Sequence, residues 1–234
     1  MKYPPVTVAC LIYKSPSWLA WFLEGLAWSR NRTPYRTLVV GNDAEPQVME
    51  TGRVDVDHRN PPGMSRMARI YAAWNRCVEE AETDLVCLAN SDFAFSDWWL
   101  DRLVDVKLRL PMSLPCSLLV ESGRIPSAFP EFVKQFGEPP DNFDINAWQE
   151  HALMLRASGK ESVTPGRLYM PVIFRKDEFI KAGGYPSIGN PEGTTGDKDL
   201  FARYKTMGFE HLTVMDSVVF HQMCGEAGGW YSGE

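Results

Sequence analysis

The chain has 234 residues, 44% of them hydrophobic and 23% charged, with a formal net charge of −6. This is enough apolar material for one compact α/β unit with a substantial core, and the acidic balance argues against tight nonspecific attachment to polyanions, which rests on clustered Lys and Arg. Residues 1–5 lack the apolar core of a signal peptide, and no later run reaches the roughly 18 apolar residues of a membrane span, so a cytoplasmic protein without integral membrane association is expected.

Val6 to Tyr13 is a continuous β-prone run, and Ser15-Pro16 then offers an N-cap and a first-turn proline to a helix carrying Trp18, Leu19, Phe22, Leu23 and Leu26. Thr37 to Val40 reads as a second strand closed by Gly41-Asn42-Asp43, and Val54 to Asp57 as a third. Beyond the Pro61-Pro62-Gly63 turn, apolar residues from Met64 to Ala81 recur at helical spacing. Asp84 to Ala89 returns to a buried-strand pattern, and Ser96 is placed to cap a helix through Leu100, Leu103, Val104 and Leu108. Residues 117–144 are rich in Pro, Phe and Gly with weak periodicity, so long loops over the sheet are expected there. A helix over 145–157, a strand over 168–174, helices over 177–182 and 197–207, and one or two strands over 212–220 complete the pattern. The Gly-rich stretch 225–234 reads as a mobile tail.

Alternating strands and helices of this kind imply an α/β fold, a mostly parallel sheet flanked by helices, with ligand groups outside the carboxyl ends of the strands. The five cysteines, Cys10, Cys77, Cys87, Cys116 and Cys224, are widely spaced and set mostly in apolar patterns, so core thiols are expected rather than disulfides or zinc ligands. Among the tryptophans, Trp98, Trp99, Trp148 and Trp230 invite sugar stacking, and Trp148 with His151 is the pair expected to touch an acceptor.

Three pieces carry the chemistry. Asn75 stands fifteen residues before Asn90-Ser91-Asp92, Gly196-Asp197-Lys198-Asp199-Leu200 opens a helix-like run, and His221 ends a strand-like one. With Arg175, Gly183-Gly184-Tyr185, Arg203 and Gly208 in between, the order resembles the family 2 glycosyltransferases of the GT-A (Rossmann-like) fold, over Val6 to His221.

The resemblance implies a single domain. Residues 1–110 form its nucleotide-sugar-binding half and 111–224 its acceptor-binding and catalytic half. It implies an inverting transfer of a sugar from a nucleoside-diphosphate donor, a UDP-sugar foremost, to a hydroxyl acceptor. Tyr13, Lys14, Asn42 and Asp43 take the places that hold base and ribose, while Asn75, Asn90 and Ser91 belong to the donor-binding motif. Arg69, with Arg66, could reach the diphosphate. Asp92 and His221 match metal positions, for Mn²⁺ or Mg²⁺, because a hard cation neutralises the charge on a departing diphosphate. Asp197 matches the general base, with Asp199 as its rival.

The sequence departs from the family at Asn90, where an acid is usual, and at Gly196, where the acidic pair would begin. By themselves Asn42-Asp43 could be an ordinary turn, Asp197 with Asp199 a helix cap, and His221 a structural histidine. Three other readings stay open at this level: a nucleotidyltransferase, a non-catalytic nucleotide- or glycan-binding module, and an enzyme whose acceptor is a modified nucleic acid base, which the acidic balance disfavours.

Overall fold

The computed structural model describes residues 3–124, 126–127, 129–186, 196–223 and 225–226. Strand β1 (Val6–Ile12) is buried along nearly its whole length, and Ser15 caps α1 (Pro16–Trp28) by accepting the Trp18 N–H, with Pro16 in the first turn, as its sequence requires. β2 (Tyr35–Asn42), the one-turn α2 (Pro46–Met49) and β3 (Val56–His58) follow. Ser65 caps the strongly amphipathic α3 (Arg66–Glu80), which leads to β4 (Leu85–Leu88), β5 (Phe93–Phe95) and α4 (Trp99–Arg109).

The Ser96 hydroxyl is spent on the Val218 carbonyl, so it does not cap α4; Trp98, in a left-handed conformation with φ 66°, takes the cap position. Next comes β6 (Ser113–Glu121), buried along its whole length, where long loops were expected from residue 117. A small hairpin of β7 (Gly137–Glu138) and β8 (Asn142–Phe143) precedes α5 (Ile145–Ser158). The chain then runs through β9 (Val163–Pro165), β10 (Val172–Arg175), α6 (Lys176–Lys181), α7 (Gly196–Thr206) and the twelve-residue β11 (Glu210–His221).

The main sheet has the order β3-β2-β1-β4-β10-β6-β11-β5, with β9 also paired to β11. β3, β2, β1, β4, β6 and β11 run the same way, whereas β10, β5 and β9 oppose their neighbours. Alternation along the strands feeds three cores, one of them built by Ile12, Val39, Val120 and Phe220 beneath Trp148 of α5. Ala9, Val86, Leu88 and Phe174 face Tyr71 and Trp74 of α3, Phe179 of α6 and Tyr204 of α7. Val8, Cys10 and Cys87 face Phe22 and Leu26 of α1 and Leu100 and Leu103 of α4. Cys10, Cys77, Cys87 and Cys116 are buried free thiols, and Cys224 lies outside the described residues. No described helix is long and apolar enough to cross a membrane.

Trp148 is fully buried and packs edge-on against Phe136, 5.5 Å between ring centres, and against Phe220. It therefore serves the core beneath α5 and not an acceptor, which corrects the expectation for Trp148, while His151 stays partly exposed. Trp99 is likewise enclosed against Phe95, and Trp230 lies outside the described residues. Truncation of Trp148 to alanine is expected to cost about 3–5 kcal/mol of stability, read as a lowered denaturation midpoint.

Candidate functional site

The strand order reverses between β1 and β4, and at that switch point the carboxyl ends of β1, β2 and β4 open into a cavity of about 830 Å³. Tyr13 and Lys14 come from the end of β1, Asn42 and Asp43 from the end of β2, and Asn90, Ser91 and Asp92 from the β4–β5 connection. α3 contributes Arg66, Arg69, Ile70 and Trp74, and β11 delivers His221. Residues that the sequence scatters over more than two hundred positions thus share one wall.

Asp43 is fixed at the β2 end. It accepts from the Asn60 backbone N–H at 2.9 Å and from the Asn60 side chain at 2.9 Å, with the Arg69 guanidinium 3.6 Å away. Its partial burial alone would raise its pKa, but these N–H donors and Arg69 outweigh it and hold the carboxyl below the usual range. Asn60 also donates to Asn42 at 2.7 Å, so a single side chain sets both residues expected to meet the ribose. Nothing in the local sequence beyond a turn signal marked Asn60.

Asp92 is only 7% exposed, and its Oδ2 faces His221 Nε2 at 3.6 Å while accepting the Gly225 N–H at 3.0 Å. Burial opposes its ionisation, yet His221 and the N–H donors prevail and its pKa falls. The other ring nitrogen of His221 lies 3.3 Å from Glu121 Oε1 at the end of β6. Burial would favour neutral imidazole, but the carboxylates on both sides push His221 up to about 9. With both ring nitrogens protonated at neutral pH, a cation would have to displace the Nε2 proton; once it is lost, the ring held by Glu121 presents that nitrogen beside Asp92. The Asp92 and His221 donors therefore fit a hard divalent ion with mixed oxygen and imidazole ligation. Among the described residues no group of three or more His, Cys, Asp or Glu is clustered for a metal, so the remaining ligands of such an ion would have to come from phosphate oxygens and water. Glu121 was hidden from the sequence because its strand read as loop.

Asn75 does not line the cavity. Its amide donates to the Tyr185 carbonyl at 2.9 Å and its carbonyl accepts the Tyr185 N–H at 2.8 Å, clamping the Gly183-Gly184 turn, whose φ angles are 82° and 64°, to α3. Asn75→Ala is expected to cost about 2 kcal/mol by stranding those backbone groups while leaving donor affinity unchanged, as paired denaturation and calorimetric titrations would reveal.

Asp199 is committed to Arg203 at 2.7 Å, and Arg203 in turn holds the Ala182 and Gly184 carbonyls. Asp197 is different. Half-buried at the head of α7, it accepts from the Tyr185 hydroxyl at 3.2 Å, and Tyr185 stacks on Tyr71 with 5.4 Å between ring centres. Desolvation raises its pKa against the pull of Tyr185 and the backbone. It is not among the residues lining the cavity, whereas Ile70 and Trp74, which flank Tyr71 on α3, are. The glycine preceding it also has a reason. A Cβ at Gly196 would sit 2.4 Å from Tyr71 Cζ, so an acidic side chain cannot be accommodated there without moving the ring.

Gly225 and Glu226, the first residues of the expected tail, line the cavity, whereas 227–234 lie outside the described residues.

No protein-family model and no curated protein matches the sequence. Among solved structures, the chain is similar to the crystal structure of S. aureus TarS 1–349, with a TM-score of 0.60 and 11% identity over 94% of this chain; it spans 60% of that chain's length. At that identity the likeness is one of fold, a mixed α/β domain whose largely parallel central sheet is GT-A-like.

Proposed function

We propose that the protein is a metal-dependent inverting glycosyltransferase that moves a sugar from a nucleoside diphosphate, a UDP-sugar foremost, to a hydroxyl acceptor. The observation that carries this reading is the meeting of Tyr13, Asn42, Asp43, Arg69, Asn90, Asp92 and His221 in one cavity at the switch point of a GT-A-like sheet. Asp43 and Asn42 would bind ribose hydroxyls, Tyr13 and Lys14 the base, and Arg69 the diphosphate.

A Mn²⁺ or Mg²⁺ ion held by Asp92 and His221 would neutralise the leaving diphosphate. Asp197 lies outside the cavity lining, so in this reading the sugar and acceptor extend from the cavity to the head of α7, where Asp197 takes the acceptor's hydroxyl proton as that oxygen bonds to the anomeric carbon and the bond from that carbon to the diphosphate breaks. Inversion follows from a single displacement. Asp199 is left out of the chemistry because Arg203 already claims it.

The deciding experiment incubates the protein with UDP-, GDP- and TDP-sugars, with and without Mn²⁺, and follows melting temperature and sugar release. A donor that stabilises by mass action and is consumed in the presence of an acceptor supports the reading. Absence of stabilisation by every donor overturns it.

A further inference from the structure

The donor cavity is crossed by a piece of the protein's own chain. Glu226 Oε1 accepts the N–H groups of Tyr13 at 3.1 Å, Lys14 at 2.6 Å and Ser15 at 2.7 Å, and its Oε2 lies 3.0 Å from the Tyr13 N–H. These three donors form the turn that leads into α1 and favour negative charge there, although burial of the carboxyl outweighs them and raises its pKa.

One residue earlier, the Gly225 N–H is spent on Asp92 Oδ2 at 3.0 Å. The approach is too close for any side chain, since a Cβ at Gly225 would lie 2.5 Å from Asp92 Cβ and 3.0 Å from Trp18 Cζ2. The dipeptide therefore occupies two of the groups assigned above to the ligand. It fills the β1 loop that would hold the nucleotide, and it caps an oxygen of the carboxylate that would hold the cation.

We propose that Gly225-Glu226 is an autoinhibitory strap, with the Glu226 carboxylate standing in for the acceptor groups of a nucleoside diphosphate, which must displace it to bind. This inference rests on the reading that the cavity takes such a nucleotide. Strap and ligand compete for the same N–H donors, so weakening the strap strengthens the ligand.

The test is calorimetric titration of the wild type, Glu226→Ala, Glu226→Gln and Gly225→Ala with UDP and with GDP in the presence of Mn²⁺, after thermal melts verify that each is folded. Glu226→Ala is expected to bind the nucleotide about tenfold more tightly. Glu226→Gln, which keeps the shape but loses the charge, should fall between, and Gly225→Ala should reproduce the gain by forcing the strap outward. Nucleotide binding in the variants that equals or falls below that of the wild type overturns the strap and leaves the cavity's assignment standing. Failure of both nucleotides to bind the wild type and every variant overturns the nucleotide reading and the strap with it.

Discussion

Replacing Asp92 with alanine is expected to abolish the Mn²⁺-dependent part of donor binding and to slow transfer about a thousandfold, several kcal/mol of leaving-group stabilisation. The size follows from position. Asp92 is nearly inaccessible, it faces His221 at 3.6 Å, and the adjacent Asn90 brings no charge that could replace it. A lone imidazole does not hold a hard cation well. Loss of Asp92 would also remove one of the two carboxylates that raise His221, so the ring's pKa should drop. Melting curves with donor, with and without Mn²⁺, separate metal binding from folding. A variant that keeps its metal-dependent shift removes Asp92 from the site.

Asp197→Asn should behave differently, preserving donor affinity and its Mn²⁺ dependence while lowering turnover by about 10²–10⁴-fold. The change keeps the side chain's shape and its contact with the Tyr185 hydroxyl but deletes the proton acceptor. A pH profile supplies an independent check. Burial raises the Asp197 carboxyl above its ordinary value, and a base works only when ionised. Wild-type activity is therefore expected to fall on acidification at a higher pH than an ordinary carboxylate would set, and that acid limb should be missing from the residual activity of the variant. Full activity in Asp197→Asn would transfer the role elsewhere.

What could be read from the sequence depended on how local the cause was. α1 and α3 announce themselves because a serine cap and a 3.6-residue apolar period lie within one segment, and both helices begin within a residue or two of the expected position. β6 does not. Its interior carries Pro115, Ser113 and Ser117, and burial on both faces erases the alternation by which a strand is recognised. Missing β6 meant missing Glu121 and hence the second carboxylate at His221. Ser96 looked like a helix cap but bonds across the sheet to β11, a partner 122 residues away that no window could include. Trp148 drew attention for its chemistry, and tertiary packing claimed it. In the candidate site, the grouping of Asn42, Asp43, Asn90, Asp92 and His221 was legible because each ends or follows a strand, where an α/β sheet puts its ligand groups. Asn60 and Glu226 were not, since their importance comes from what they touch.

The order in which the strands lie side by side has a consequence for how such a protein can diversify. β10, from the second half of the sequence, is zipped between β4 and β6, and β5, from the first half, closes the far edge against β11. Neither half of the polypeptide owns a complete sheet, so severing them would leave raw, hydrogen-bond-hungry borders prone to aggregation. The second half of the chain therefore cannot be traded as a cassette. New ligand preferences would have to arise in the connections that emerge above the strand tips, with the woven framework beneath left alone.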